Sequence, residues 1–579
     1  MEQSNYKRLY ESLKSEWERH KPVWDIISQY VGITTQSDYS YGTDDKSQRL
    51  DEYIDDPTAS LSVTQSGDYM VGLLWGGGDD AVKVVPSNYV TELADDSELN
   101  SWYEYATKRV LYHINHDQSG FINALRPYAY DQQAFGTSGI GCFKNKHYIN
   151  GMTDCLLSFK MYGVDNTVIG EGANSLIDYI FVKHWWDVLR IVEEFDGIRL
   201  PDSIQTAINA KNFGKRFPIV FAMMPNNEFQ AGKIGKKGAK FKGVWFLDEG
   251  DCQPFFTEYF NEKPIAICRQ MKMRNETYGR SGGTLLISTI RAVNYMIGNA
   301  IEIIEKMNLP ALGTFNNALF GDGVLDDSSG SLSIFNPQQI GSQNPIFPLY
   351  TVGDPSALVN FLLPYLNEKI VTAFKVDQLL DFNASANMSA TESMHRYTIR
   401  GQSLFGTLVQ QKTETMIPSL RRSVTLCYDN NELGVDPRNE DAVSLIRKVG
   451  RGERIIPEAV IQIRDGGKSW FNLQFNTEME KLTRTDAVDD LLKMLNSVSA
   501  VATLYPAIID AVDWYRMIKD INEKVTPNAQ ILLGEEEFKD VLKAKAEQVK
   551  QQQQLQQAEQ QSKAMFNVAQ ASAVTEGSR

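Results

Sequence analysis

Chemistry-bearing residues are scarce in this sequence, and each shortage closes a class of function. There are five cysteines in 579 residues. Cys142, Cys155, Cys252, Cys268 and Cys427 are scattered without CxxC spacing. That suits a reducing cytosol and no disulfide framework. There are six histidines, His20, His113, His116, His147, His184 and His395. Only His113 and His116 lie close together, and no neighbouring Glu or Cys completes a metal set at either, so surface or core roles are expected. No run of about 18 apolar residues exists, which excludes a membrane-spanning helix. The first residues, MEQSNYKRLYESLKSEW, are charged and carry no apolar stretch, so no signal peptide is expected. Gly467-Lys468-Ser469 lacks the glycine five residues earlier that a phosphate-cradling loop needs, because Gln462 stands there. That weighs against an ATPase. The carboxylate pairs Asp79-Asp80, Asp326-Asp327 and Asp489-Asp490 have no positioned His or Lys. The expectation is a protein that is not an enzyme and has no cofactor and no metal.

Positive charge is also in short supply. Lys and Arg number 58 against 73 Asp and Glu, a net charge of −15. Such a chain repels nucleic acid on average, so sequence-reading of DNA is disfavoured while local basic patches remain open. The shortage is uneven. No Lys or Arg stands between Lys306 and Lys369, where Asp322, Asp326, Asp327, Asp354 and Glu368 do. A second gap runs from Lys375 to Arg396. The opposite bias appears at 232–243, where Lys233, Lys236, Lys237, Lys240 and Lys242 are interleaved with glycines. That segment reads either as a solvated hairpin tip or as a loop that contacts phosphates or a partner.

What is present is ample for a large folded protein. Hydrophobic residues make up 42% and charged residues 23%, the balance of a soluble globular chain long enough for several domains. The fold class read from the pattern is α+β. Residues 5–31 read as an amphipathic helix or two, interrupted at Pro22. Asp56-Pro57-Thr58 opens another that ends at Gly76-Gly77-Gly78, and helices follow over 102–116 and 121–135. From Cys142 to Cys268, short alternating runs such as DYIFVKHWW and FPIVFAMM read as strands, with a helix near 186–196. Residues 430–480 carry mixed strand signals and 485–520 turn helical. Beyond Glu535 the chain is charged and then glutamine-rich.

The sequence is organised around 281–428. Leu286, Ile290, Val293, Ile297, Ile301 and Ile304 form one apolar stripe, with Arg291, Asn294, Gly298, Glu302 and Glu305 on the other face. This predicts a helix over 284–307. A Gly/Asn/Pro-rich excursion follows, and Asp354-Pro355 caps and restarts a helix through Leu358, Leu362, Tyr365, Leu366, Ile370 and Phe374, bent at Pro364. After the polar loop 381–388, Ser389 and Glu392 form a capping box for a long helix bent near Pro418.

Tyr278-Gly279-Arg280, then IRAVNYMIGNAIEIIEKMNLPAL, then NMSATESMHRYTIRGQSLFGTLVQQKTETMIPSLRRSV resemble, in order and spacing, the portal or head-to-tail connecting proteins of short-tailed tailed phages. DDPTASLSVTQSGDYMVGLLWGGG and AVDDLLKMLNSVSAVATLYPAIIDAVDWYRMIKDI extend the resemblance over most of 5–530. It implies a wing over 1–280, helical and then β-rich, and a first stem helix over 281–309. A clip over 310–354, a second stem helix over 355–380 and a tunnel loop over 381–388 would follow. A long wing and crown helix over 389–428, wing strands over 429–484, a helical crown over 485–530 and a Gln-rich tail over 531–579 would complete the portal fold.

The function the resemblance implies is a ring, a homododecamer, at one capsid vertex. It would conduct double-stranded DNA without reading sequence, during genome packaging and again at ejection. Its partners would be the major capsid protein, scaffold, terminase and tail adaptor, bound in turn. It would be made in the host cytoplasm and reside in the virion at the head-tail junction, with no membrane. In that arrangement Asp322, Asp326, Asp327, Asp381, Asn383, Ser385 and Asn387 are candidates to line the channel, since an acidic and amide-lined wall lets the phosphate backbone slide. Lys233, Lys236, Lys237, Lys240 and Lys242 are candidates for partner contact. The alternatives are a DNA-processing or packaging enzyme, disfavoured by the missing phosphate loop, and a tail or internal virion protein without a channel.

Overall fold

The computed structural model describes residues 4–31, 55–314 with a few short gaps, 330–334, 346–348, 358–376, 405–438 and 455–476, with single residues elsewhere. The chain divides into two units, Met1–Thr483 and Arg484–Arg579. The second falls almost wholly outside the described residues, as do the crown and tail expected from the sequence. The first unit contains the described helices and sheets.

Its principal helices are α1 (Ser4–Val31), α2 (Thr58–Trp75), α3 (Ser97–Asn115), α4 (Phe121–Phe135), α5 (Gly282–Asn308), α6 (Leu363–Ala373) and α7 (Ile417–Asp429). The strands are β1 (Val82–Pro86), β2 (Thr137–Lys144), β3 (Leu157–Tyr162), β4 (Thr167–Glu171), β5 (Ile177–Asp187), β6 (Arg216–Pro225), β7 (Phe241–Leu247), β8 (Pro254–Phe260) and β9 (Ile265–Arg269), then three short ones and a last. The short ones are β10 (Leu312–Thr314), β11 (Leu332–Ile334) and β12 (Ile346–Pro348), and the last is β13 (Phe471–Phe475).

Strands β4 to β8 form a five-stranded antiparallel meander in chain order. The sequence pattern predicts alternating runs, yet β6 is buried along nearly its whole length. Both faces of the sheet are covered. Phe181, Val220, Ala222, Met224, Val244 and Phe246 pack with Tyr6 and Tyr10 of α1 on one side. Ile180, Val182, Ile219, Phe221, Met223 and Trp245 join the main core on the other. A strand buried on both faces reads as a continuous apolar run, which is what FPIVFAMM is.

Pro22 does not interrupt α1, which continues from Ser4 to Val31. A proline inside a helix removes one backbone donor, and packing on both sides of it makes up the loss. Trp17 Nε1 donates to Val164 O at 2.6 Å, and the Trp24 ring meets Tyr278 edge-on at 5.1 Å. The Tyr-Gly-Arg signal of the sequence acquires a physical reason here. Tyr278 is fully buried and its hydroxyl accepts from Ile169 N at 3.2 Å. Next to it, a Cβ on Gly279 would stand 2.4 Å from the carbonyl oxygens of both Gln270 and Gly136, so two backbones cross where only glycine fits. Arg280 pairs with Glu276.

Helix α5 matches the expected 284–307 closely. Its N-terminus is closed by a capping box that the sequence pattern does not announce. Thr284 N donates to Ser281 Oγ at 3.1 Å and Ser281 N donates to Thr284 Oγ1 at 2.7 Å. The face expected to be polar is partly a packing face. Asn294 is buried and its Oδ1 accepts from the N–H groups of Asp55 and Asp56, at 2.9 and 3.0 Å, just ahead of α2.

Both later helices carry a wide turn ahead of a proline. A π turn over Leu358–Leu362 precedes Pro364 in α6, and another over Lys412–Met416, continuing a helix from 405, precedes Pro418 in α7. Proline has no N–H to donate and its ring crowds the carbonyl four residues back. A π turn gives up the regular bond just there, so the helix bends without ending.

Candidate functional site

The apolar stripe of α5 is covered over only half its length. Ile290 and Val293 are buried beside Leu363 and Ile370 of α6 and residues of α1. Further along the same stripe, Ile301 and Ile304 are 48% and 44% exposed. Met307 and Leu309 at the end of the helix are exposed as well, as are Val359 and Phe361 ahead of α6 and Tyr365 within it, while Tyr295 is exposed on the opposite face of α5. The two helices pack at one end and present uncovered apolar side chains at the other, where the short sheet β11-β10-β12 connects them.

A buried ion network ties β9 and β4 to the π turn ahead of α7. Arg269, the last residue of β9, is almost fully buried. Its guanidinium pairs with Glu171 of β4 and, at 3.1 Å, with Glu414 in the π turn ahead of α7. Its own N–H donates to Glu414 Oε2 at 2.8 Å, and its carbonyl accepts from Gln410 Nε2 at 2.5 Å. Lys272 supplies a second cation to Glu171. The widened turn is thus held to the sheet at the point where its own ladder is weakest.

A second hub sits past the end of α7. Glu432 receives Arg109 Nη2 at 2.6 Å and Tyr148 Oη at 2.5 Å. His113 Nε2 lies 3.3 Å away, and its Nδ1 accepts from Leu156 N at 3.3 Å, so Nε2 carries the proton. The sequence offered no carboxylate beside His113 because this one is more than 300 residues distant. Burial alone would raise the Glu432 carboxyl, but contacts from His113, Tyr148 and Arg109 reverse this and hold it at about 2. A folded value below the unfolded one, ~4.3, gives stability that is present above the unfolded value and lost as pH falls towards 2. Thermal melts of Glu432→Gln should therefore fall less steeply than wild type as pH is lowered through that window. Parallel curves would show that the hub adds nothing ionic.

Among the described residues no group of three or more His, Cys, Asp or Glu could hold a metal ion. No helix among them is long and apolar enough to cross a membrane. All five cysteines are buried and unbridged. The channel candidates Asp322, Asp326, Asp327, Asp381, Asn383, Ser385 and Asn387 lie outside the described residues, as does the capping box at Ser389–Glu392. Of the lysine group, Lys233, Lys236, Lys237 and Lys240 stand together, exposed, on the hairpin between β6 and β7. Lys242 stands apart in β7, where its Nζ donates to the Tyr6 hydroxyl at 3.0 Å and helps seat α1 on the sheet. Burial works against the Lys242 ammonium, but this bond and the nearby acidic groups leave its pKa raised.

A solved structure described as the neck of an empty GTA particle computed with C6 symmetry is similar over 72% of this chain and 91% of its own, at 9% identity and a TM-score of 0.31, which is too loose to carry an argument. No curated protein matches. Residues 3–532, nearly the whole chain, match the family described as bacteriophage head to tail connecting protein. The protein therefore belongs to the bacteriophage head to tail connecting protein family.

Proposed function

We propose that this connector works as a portal. Identical subunits close into a ring at one capsid vertex, and double-stranded DNA passes through the hole on packaging and on ejection. The observation that carries the reading is the half-covered stripe of α5. Ile301 and Ile304 continue the pattern that buries Ile290 and Val293, yet about half of each side chain is left exposed. A repeated copy of the same chain supplies the missing surface, and a head-to-tail contact that closes gives a ring. In this reading α5 and α6 are the stem, 310–354 is the clip and 381–388 is the tunnel loop. The resemblance favours twelve subunits, with capsid protein, scaffold, terminase and tail adaptor as successive partners.

Negative-stain images of the purified chain test this. Rings with a central hole are expected, and they should persist when the polar segment 543–579 is removed. Only monomers in the full-length protein would overturn the reading.

A further inference from the structure

The hairpin between β6 and β7 is a built feature. Asn226, nearly buried, donates from Nδ2 to the carbonyls of Lys236 and Ala239 at 2.8 Å each. Its backbone N–H donates to Lys240 O at 2.9 Å, and Gln230 N donates to Lys237 O at 2.7 Å. A 3₁₀ turn over Gly235–Lys237 begins at Gly235 with φ at +78°, a conformation that favours glycine. The four ammonium groups of Lys233, Lys236, Lys237 and Lys240 thus hang from a fixed frame.

Their charge is uncompensated. By contrast, Lys183 of β5 is paired with Asp248 at 2.6 Å, and Lys263, in the turn after β8, with Asp178 at 3.3 Å. Among the described residues none of the four hairpin lysines has an ion-pair partner, and the only carboxylate in 226–243 is Glu228. On a chain of net charge −15 this is a concentrated positive point. Protein interfaces are depleted in lysine and are built around apolar anchors. The four lysines stand instead among glycines, and the space beside Gly235 is open, with nothing within 4 Å of where a Cβ would stand. A strongly hydrated ammonium suits a phosphate as a point charge.

We infer that this hairpin is a sequence-independent contact for the phosphate backbone of a nucleic acid. The inference rests on the portal reading only for where the DNA is met; the affinity itself belongs to the hairpin. It is tested by fluorescence anisotropy with a labelled random-sequence duplex of about 30 base pairs, titrated with the full-length chain over a range of potassium chloride. Lys236→Gln with Lys237→Gln is compared with Lys211→Gln and Lys215→Gln, an exposed pair elsewhere on the sheet's rim. The hairpin pair should bind more weakly and should flatten the plot of log affinity against log salt by about 2, at ~0.9 per phosphate contact. The control pair should leave the slope unchanged. Equal slopes in wild type and the hairpin variant overturn the inference, and so does an equal loss in the control pair, which would mean diffuse charge. Loss of binding to poly-glutamate with duplex binding intact also overturns it, in favour of an acidic protein. If wild type fails to form rings while the salt slope behaves as expected, the portal reading falls and this one stands.

Discussion

Arg269→Met should lower stability by about 3–5 kcal/mol, the usual cost of removing one partner from a buried ionic network. Arg269 is almost fully buried and serves two carboxylates at once. Its removal leaves Glu414 without a cation inside a packed seam and leaves Glu171 with Lys272 alone. Glu414 lies in the π turn over Lys412–Met416, so the loss should also loosen the helix that begins at 405. Urea unfolding followed by far-UV circular dichroism measures the first effect, and backbone hydrogen exchange across 405–429 the second. Adding Glu171→Gln and Glu414→Gln should restore much of the stability, because a network replaced as a whole costs far less than one left half-charged. A change below about 1 kcal/mol in the single variant would show that the network is solvated after all.

Ile301→Asp together with Ile304→Asp should abolish rings and leave a folded monomer. Both side chains are about half exposed in the single chain, so the fold loses little, within the ~0.5 kcal/mol usual at surface positions. In a ring each isoleucine would bury the half of its side chain still exposed, worth about half of the ~1.5–3 kcal/mol of full burial, and the aspartates would instead bring charge into every seam. Sedimentation velocity should show the variant as monomer under conditions where wild type sediments as a ring, with unchanged circular dichroism. Met152→Asp, at a residue 73% exposed in a turn away from the stripe, should leave assembly intact. Normal rings from the double variant would place the subunit contact elsewhere.

Local periodicity is enough to find the helices. The stripe from Leu286 to Ile304 locates α5 to within about two residues, and α4 runs over the expected 121–135. Chemistry that depends on distant pairing is hidden. The capping box at Ser281 escapes the pattern because Thr284, at the third helical position, stands where the usual signal is Glu or Gln. Asn294 looks like a solvent residue because its partners are backbone groups at 55 and 56. Arg109 and Glu432 are 323 residues apart, and no window in the sequence spans them. Strand β1 is not anticipated at all, since its partner β13 comes from the other end of the unit. Of the candidate sites, the lysine hairpin is readable from composition alone, and the acidic channel set lies outside the described residues.

The pairing of β1 with β13 also sets a clock. Val82 to Pro86 bond to Phe471 to Phe475, and Tyr103 donates its hydroxyl proton to the carbonyl of Trp470, 367 residues later. At ~5–20 residues per second of synthesis, the early strand waits roughly 20–80 s on the ribosome for its mate. Until then Trp102 and Tyr103 lack the Trp470 ring that packs on them at 5.8 and 6.4 Å. A nascent chain cut short before that point keeps an open aromatic pocket, the sort of surface chaperones and proteases seize. Only a chain that extends past Phe475 can shut it, so a subunit cut short before that strand would present the pocket wherever it went.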